Sequence, residues 1–241
     1  MHRKNGSDNA FYFKQFHIHH DRSTMKVGTD GVLLGAWSGI NSAQYILDVG
    51  TGTGLIALML AQRSEENVNI HAIEVDLDAF QEAEENVNES PWKSKISIFH
   101  TSLQQYPTST KYDLIVSNPP YFVNSLKAPN QKRNLSRHAD ELPYAIIIDN
   151  CKRLLHPNGR LCLILPYSEG IAFREMAAQN HLHCNQVINV RHNNSKPTER
   201  LLMEFSYCST TSNESELILF NTDGKRTESY HQLVSDFYLK N

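Results

Sequence analysis

Two short segments of the chain carry side chains suited to chemistry on a nucleotide-like ligand. The first is Asn118-Pro119-Pro120-Tyr121, directly after the apolar run 113–116. An amine on a planar ring is a weak nucleophile because its lone pair is delocalised, and two acceptors on its hydrogens would align that lone pair. The Asn118 side-chain oxygen and the Pro119 carbonyl supply two acceptors, the prolines stiffen the corner, and Tyr121 can stack on a flat base. The segment predicts an amine clamp, whereas a plain diproline turn would need neither the amide nor the ring.

The second segment is a glycine-rich turn that follows another apolar run and opens a helical pattern. It is Asp48-Val49-Gly50-Thr51-Gly52-Thr53-Gly54. Glycines let a ligand approach the main chain, and the start of a helix offers unpaired N–H groups. A dinucleotide-binding loop of the G-x-G-x-x-G type would need glycine at position 55, where the chain has leucine. Asp48 is expected to orient the loop or to meet a cationic ligand.

Glu74 strengthens the case for a nucleotide-type cofactor at this loop. It ends the next apolar run, where a carboxylate can accept both hydroxyls of a ribose. The alternative is a tight strand-to-helix turn flanked by surface acids. The glycines and Glu74 together favour the cofactor site.

Apolar runs alternate with helical patterns over residues 45–208, which predicts an α/β fold with a mostly parallel sheet covered on both faces. Strands are predicted at 45–49, 70–75, 96–99, 114–117 and 161–165, followed by an antiparallel pair at 187–190 and 201–207. Helices are predicted at 29–37, 55–62, 77–88, 142–155, 169–179 and 230–239. A short strand at 217–220 precedes an Asp223-Gly224 turn, and residues 122–141 form a long polar loop. We expect a single domain over 1–241, with an N-terminal extension and helix (1–44), a core (45–208) and a C-terminal hairpin and helix (209–241).

Composition places the chain among cytoplasmic proteins. Its 241 residues are 40% hydrophobic, the mean hydropathy is −0.46, and no apolar run approaches the ~20 residues of a membrane helix. The N-terminus lacks the continuous apolar region of a secretory signal. The four cysteines have no C-x-x-C spacing, which favours a reduced compartment and structural thiols.

Any nucleic-acid contact must come from local positive charge, because the net charge is −3 and the pI is about 6.4. Basic residues cluster after the proline pair, and these are Lys127, Lys132, Arg133 and Arg137. A weaker patch comprises Arg3, Lys4 and Lys14. Both sets are equally compatible with solvated loop charges. Arg137-His138 can contact an RNA phosphate or cap the following helix.

The glycine loop, Glu74 and Asn118–Tyr121 together resemble the class I S-adenosylmethionine-dependent methyltransferases that act on amino groups. Further segments narrow the resemblance to the bacterial tRNA1(Val) adenine-N6 methyltransferases, which modify the adenosine just 3′ of the anticodon. These segments are Phe13-Lys14-Gln15-Phe16, the run 25–37, Asn118–Phe122, Arg137-His138, Pro197 with Arg200, and Asp236-Phe237-Tyr238-Leu239. The match runs from about residue 11 to the C-terminus, and its N-terminal part is the most discriminating.

The resemblance implies a Rossmann-like, seven-stranded sheet with S-adenosylmethionine over the carboxyl ends of the first strands. The implied cofactor contacts are Gly50, Gly52 and Gly54 at the methionine moiety, Glu74 at the ribose, and Lys26, Thr29 and Asp30 near the amino-acid end, with Asp48 and Thr51 in the same loop. Asn118, Pro119, Pro120 and Tyr121 would form the catalytic segment that holds the target base. The family often has an acidic residue at the adenine amine of the cofactor, and Ser102 stands at that position here.

Other functions remain as alternatives. Asn-Pro-Pro-Tyr is shared with methyltransferases that act on DNA, ribosomal RNA and release-factor glutamine, although the last usually carry a separate helical N-terminal domain. A non-catalytic cofactor- or RNA-binding module is disfavoured by Asn118, and an NAD-dependent dehydrogenase by Leu55. No metal site is expected: His17 and His19 would share a strand face, but no cysteine or carboxylate partner is evident nearby in the sequence. A monomer is favoured.

Overall fold

A computed structural model describes residues 10–23, 26–40, 42–120 and 133–239, with side chains from Tyr144 onward in the helix that begins at Arg133. The strands are β1 (Ala10–Tyr12), β2 (His17–His19), β3 (Tyr45–Val49), β4 (Asn69–Glu74), β5 (Ile96–His100), β6 (Tyr112–Ser117), β7 (Leu155–Pro166), β8 (His183–Arg191), β9 (Thr198–Ser206) and β10 (Asn213–Ile218). The helices are α1 (Thr29–Trp37), α2 (Leu55–Arg63), α3 (Leu77–Asn88), α4 (Arg133–Leu154), α5 (Tyr167–Gln179) and α6 (Glu228–Val234). Within these ranges no helix is both long and apolar enough to cross a membrane.

The centre of the molecule is a sheet of eight strands in the order β10-β8-β9-β7-β6-β3-β4-β5. Every strand pairs in parallel except β9, which runs antiparallel to β7 and β8. The predicted mostly parallel sheet and the antiparallel pair near its end are therefore confirmed. The sheet has one strand more than expected, because β10 adds to β8. The short strand predicted at 217–220 overlaps the last two residues of β10, whose polar start, Asn-Glu-Ser-Glu, shows no apolar alternation.

Helices cover both faces of the sheet, as the strand sequences require. Successive side chains of a strand point to opposite faces, and the neighbours Ile46 and Leu47 of β3 lie in two different apolar clusters. One cluster joins α1, α2 and α6 to the sheet. The other joins α4 and α5 to its opposite face. Strands that are apolar on both sides, such as β3, therefore occupy the middle of the sheet.

Helix α1 has the predicted bounds and packs closely against α2. A Cβ at Gly35 would lie 2.8 Å from the Met59 sulfur, so only glycine permits this approach. The contact fixes the N-terminus of α1 beside the glycine loop, which leads directly into α2. Tight packing of α1 on α2 thus positions two segments that the sequence separates by about twenty residues.

Helix α4 begins at Arg133, so the predicted polar loop over 122–141 was wrong from residue 133 onward. The spacing of Leu135, Ala139 and Leu142 is helical, but the polar residues between them obscured the pattern. The part of the predicted loop from 122 to 132 lies outside the described residues.

The N-terminal hairpin β1–β2 is attached to α3 by buried polar side chains. Glu82, only 1% exposed, accepts hydrogen bonds from the backbone N–H groups of Asp21, Arg22 and Ser23 at 2.5, 2.9 and 2.9 Å. Asn86 bonds both the N–H and the carbonyl of His19. These contacts direct the chain after β2 across the carboxyl end of the sheet.

Candidate active site

A cavity of about 690 Å³ opens where β3, β4 and β6 end. Because β3 lies between β4 and β6 in the sheet, the segments that follow these three strands converge at one edge. Those segments are the glycine loop after Val49, the turn after Glu74 and the Asn118 segment after Ser117. This volume falls in the range of a site for a nucleotide-sized cofactor. The Ser117 hydroxyl donates to the Val49 carbonyl at 2.8 Å and fixes two of the strand ends together.

The glycine loop needs its glycines because three of its residues have left-handed backbone angles. The φ values are +70° at Gly50, +57° at Gly52 and +82° at Gly54, a region that other residues rarely adopt. The N–H groups of Gly50 and Thr51 donate to the Ile73 carbonyl at 2.9 and 3.1 Å, which ties the loop to β4. A Cβ at Gly50 would meet no atom within 4 Å. The loop therefore leaves its main chain open toward the cavity.

Glu74 links the glycine loop to the turn before α3. Its Oε2 accepts from the Gly52 N–H at 2.9 Å, and its Oε1 accepts from the N–H groups of Val75 and Asp76 at 2.8 and 3.0 Å. Oε1 thus already accepts two hydrogen bonds, whereas Oε2 accepts one and has capacity for a ligand hydroxyl. Beside it, the apolar side chain of Val75 is 68% exposed at the cavity rim. A carboxylate next to a bare apolar surface suits the ribose and the flat base of a nucleoside.

Asp48 lies beneath the loop and not on the cavity wall. Its Oδ2 accepts from the Thr51 hydroxyl at 2.6 Å and from the Ala57 N–H at 3.2 Å. Burial raises the pKa of the Asp48 carboxyl to about 7, against the opposing effect of these two hydrogen bonds, and the Glu74 charge adds to the rise. Of the two roles predicted for Asp48, the geometry favours orientation of the loop over direct contact with a ligand.

Asn118 presents an unused hydrogen-bond acceptor at the cavity. Its Oδ1 is fully buried and has no hydrogen-bond partner within the described part of the chain, while the residue lines the cavity together with Pro120. Pro119 is buried behind them. A buried polar atom without a partner is costly, so its position beside the glycine loop indicates a ligand hydrogen-bond donor. Tyr121 lies outside the described residues, and its stacking role remains a prediction.

The start of α1 forms the opposite wall. Lys26, Thr29 and Asp30, which the family resemblance implies near the amino-acid end of the cofactor, all line the cavity. Asp30 is held by an ion pair from its Oδ2 to the Arg200 Nε at 2.8 Å. Arg200 also lines the cavity. It was noted in the sequence only as part of a family pattern, because nothing local to β9 indicates a partner 170 residues away.

Besides Asp48, two further predicted cofactor residues do not line the cavity. Ser102 follows β5 at the edge of the sheet, where the chain turns and the Ser102 carbonyl accepts from the Gln105 N–H at 3.1 Å. Ser102 does not line the cavity, and the expected adenine contact stays a prediction. Gly54 caps the N-terminus of α2 and faces Ala83 at 3.6 Å. Its role is to turn the chain into the helix.

The predicted RNA-binding set falls mostly beyond the structural description. Lys127 and Lys132 lie outside the described residues. Arg133, Arg137 and His138 belong to the first turns of α4, and their side chains lie outside the description. The expected RNA contact of this segment therefore stays a prediction.

The prediction that the N-terminal histidines lack a carboxylate neighbour was wrong. Glu89 Oε2 lies 2.8 Å from His17 Nε2 and 3.3 Å from His19 Nε2. The sequence did not indicate this contact, because Glu89 follows the last turn of α3, some 70 residues beyond the hairpin. The hydrogen bond from His17 is the main cause of a lowered Glu89 pKa. These three side chains offer ligand atoms within 4.8 Å of one another, and both histidines contact the exposed Glu89 carboxylate.

Solved structures share this architecture. A predicted O-methyltransferase from Agrobacterium tumefaciens superposes with a TM-score of 0.67, covering 86% of this chain and 96% of that protein at 14% identity. A type I restriction-modification methyltransferase subunit from Streptococcus thermophilus gives a TM-score of 0.58, covering 89% of this chain and 54% of that one at 16% identity. At these identities the likeness establishes the fold alone, which is that of the methyltransferases.

Sequence comparison is more specific. Residues 32–189 match the family model of the methyltransferase small domain. A tRNA1(Val) (adenine(37)-N6)-methyltransferase from Proteus mirabilis is 44% identical over 236 residues, covering 95% of this chain and 94% of that protein. The protein of the same name from Photorhabdus laumondii is 42% identical over 234 residues, with 95% of each chain covered. The chain therefore belongs to the tRNA1(Val) (adenine(37)-N6)-methyltransferase family.

Proposed function

We propose that this protein transfers a methyl group from S-adenosylmethionine to the N6 amine of adenosine 37 in tRNA1(Val). The observation that carries the proposal is the buried, unpartnered Oδ1 of Asn118 in the same cavity as the glycine loop and Glu74. An acceptor in that position suits an amine donor presented beside a nucleoside cofactor. The identity of the target nucleotide, adenosine 37 of tRNA1(Val), comes from membership of the family.

The residues at the cavity fit S-adenosylmethionine. Glu74 Oε2 has acceptor capacity for a ribose hydroxyl, exposed Val75 offers a surface to the adenine ring, and the open backbone at Gly50 leaves room for the methionine portion. Asp30 stands on the opposite wall as a carboxylate for a cationic amino group. When bound, the cofactor supplies an electrophilic methyl group on a sulfonium centre. Ser102 does not contribute to this fit.

The protein's part in the reaction is to hold and aim the amine. The Asn118 Oδ1 accepts one N–H of the adenine amine and the Pro119 carbonyl accepts the other, so the lone pair is directed away from both acceptors. Two prolines in succession keep this corner stiff. Positioning of this kind can supply roughly 7–11 kcal/mol of a barrier. No general base is required before transfer, because the nitrogen becomes far more acidic once it is alkylated and then releases its proton.

The target base must leave its stack to reach Asn118. Extrusion costs a few kcal/mol, and less from a loop than from a duplex, so an anticodon-loop adenosine is an accessible substrate. Basic residues between 127 and 137 would hold the RNA backbone next to the clamp. Their contribution should weaken as salt concentration rises.

Nucleoside analysis tests the proposal directly. Purified protein is incubated with labelled S-adenosylmethionine and with tRNA from a strain that lacks the modification. We expect N6-methyladenosine at position 37 of tRNA1(Val), identified by mass spectrometry of nuclease fragments. Release factor and ribosomal RNA serve as the comparison substrates. Methyl transfer to either of these but not to tRNA would reject the proposed substrate.

A further inference from the structure

A second groove, of about 920 Å³, lies between the N-terminal hairpin and the C-terminal segment. Its walls combine Lys14 after β1 with the turn before α6 and with α6 itself. The basic side chains that line it are Lys14, Lys225, Arg226 and His231. Among the described residues, no aspartate or glutamate lines this groove.

This grouping of positive charge is notable because the whole chain carries a net charge of −3. Asp223, Glu228 and Asp236 lie within two residues of groove-lining positions in the sequence, but none of the three lines the groove. Asp223 pairs with Lys225 at 3.5 Å, but both side chains are well exposed at 55% and 82%. Lys14 and Arg226 have no carboxylate within 4 Å in the described part of the chain. The groove therefore presents a local positive potential that suits an anionic ligand.

Both cations are held in place before any ligand arrives. The Arg226 guanidinium lies over the Tyr238 ring at 4.4 Å from its centroid and 5.8 Å from that of Tyr230. Stacking on a ring face leaves the N–H edges of a guanidinium free for hydrogen bonds. Lys14 Nζ donates one hydrogen bond to the Ser235 carbonyl at 2.5 Å, which leaves two further N–H donors on an ammonium group.

The groove adjoins the candidate active site. Thr29, the first residue of α1, lines both the groove and the cofactor cavity. An extended polyanion lying in the groove would therefore run past the mouth of the cavity that contains Asn118. A small anion would occupy the groove alone, whereas a nucleic-acid strand is long enough to lie in the groove and reach the cavity at the same time.

We propose that this groove binds the phosphate backbone of the tRNA substrate next to the flipped adenosine, with Arg226, Lys225 and Lys14 as the phosphate contacts. The proposal rests on the proposed function and adds a surface that the basic segment 127–137 does not include. Phosphate contacts set the register of an RNA on a protein and carry no base specificity. The groove therefore governs affinity for tRNA and leaves the chemical step unchanged.

The test uses a double variant, Lys225→Gln with Arg226→Gln, in the full chain. The matched control is Lys111→Gln with Lys152→Gln, two exposed lysines near the C-terminal end of α4, on the opposite face of the sheet. Methyl transfer to tRNA is measured at several salt concentrations, and affinity for S-adenosylhomocysteine is measured by calorimetry. The double variant also removes the contact of Arg226 with the Tyr238 ring, which could itself alter the KM. The single variant Lys225→Glu keeps that contact and changes only a side chain that is 82% exposed.

Removing two phosphate contacts should raise the KM for tRNA about tenfold and reduce the slope of log affinity against log salt by about 1.5. The kcat and the affinity for S-adenosylhomocysteine should stay within twofold, and the control pair should behave as the wild type. Lys225→Glu should raise the KM as well. If the wild type methylates tRNA while both groove variants match the control, the groove proposal is overturned and the proposed function stands. Failure of the wild type to methylate tRNA would remove both.

Discussion

Asp48 is the side chain whose ionisation is most altered by folding into the glycine loop. Its carboxyl is completely buried, and burial raises its pKa from 3.8 to about 7. Thr51 and Ala57 hold the group in place. In the ligand-free protein near neutral pH, this carboxyl is therefore shared between its neutral and charged forms.

A stability measurement should detect this shifted pKa. Between pH 4 and 7 the folded protein retains a proton on Asp48 that the unfolded chain has released. The Asp48 contribution to the free energy of unfolding should therefore fall as the pH rises through that window, with a slope approaching about 1.4 kcal/mol per pH unit. Urea unfolding of the wild type and of Asp48→Asn, across pH 4–8, gives the contribution as the difference between the two. A difference that is flat or rises with pH would refute the assignment.

Helix α3 holds two segments of the candidate active site in place through its buried polar side chains. Its buried Glu82 accepts three backbone N–H groups from 21–23, and its Asn86 bonds the carbonyls of His19 and Thr53. The first of these contacts places Ser23 at the cavity. The last contact reaches the glycine loop itself. The helix thus holds the N-terminal segment and the loop in a fixed relation.

Replacing Glu82 with glutamine should weaken the attachment of residues 21–23 to helix α3. An amide nitrogen cannot accept a hydrogen bond, so at least one buried N–H group of residues 21–23 loses its partner, at a cost of about 1–3 kcal/mol. We expect lower stability in urea, faster protease cleavage between residues 20 and 28, and weaker binding of S-adenosylmethionine. Glu84→Gln, an exposed position on the same helix, is the matched control. Equal protease resistance in the two variants would show that Glu82 does not anchor the segment.

Across the whole molecule, local patterns in the sequence predicted most of the elements and both motif segments. The helices Thr29–Trp37 and Leu77–Asn88 have the predicted bounds. The polar first half of β10 and the first turns of α4 were missed because their sequences are polar, and the strand predicted at 217–220 overlaps only the end of β10.

The contacts that complete the site were beyond prediction for a different reason. The Arg200–Asp30 ion pair and the Glu82 anchor join residues 170 and about 60 positions apart. Nothing in the neighbouring sequence of either partner indicates the other, so only the fold reveals them. The basic groove was missed in the same way, because its walls come from both ends of the chain.

Methyl transfer by Asn118→Ala, measured at saturating tRNA and S-adenosylmethionine, tests the central claim most directly. We expect kcat to fall on the order of 100-fold or more, because the adenine amine loses the Asn118 Oδ1 as a hydrogen-bond acceptor. Affinity for the cofactor should stay within about threefold, since Glu74 and the glycine loop are untouched. A variant that binds tRNA and retains kcat within a few-fold of the wild type would contradict the proposed amine clamp.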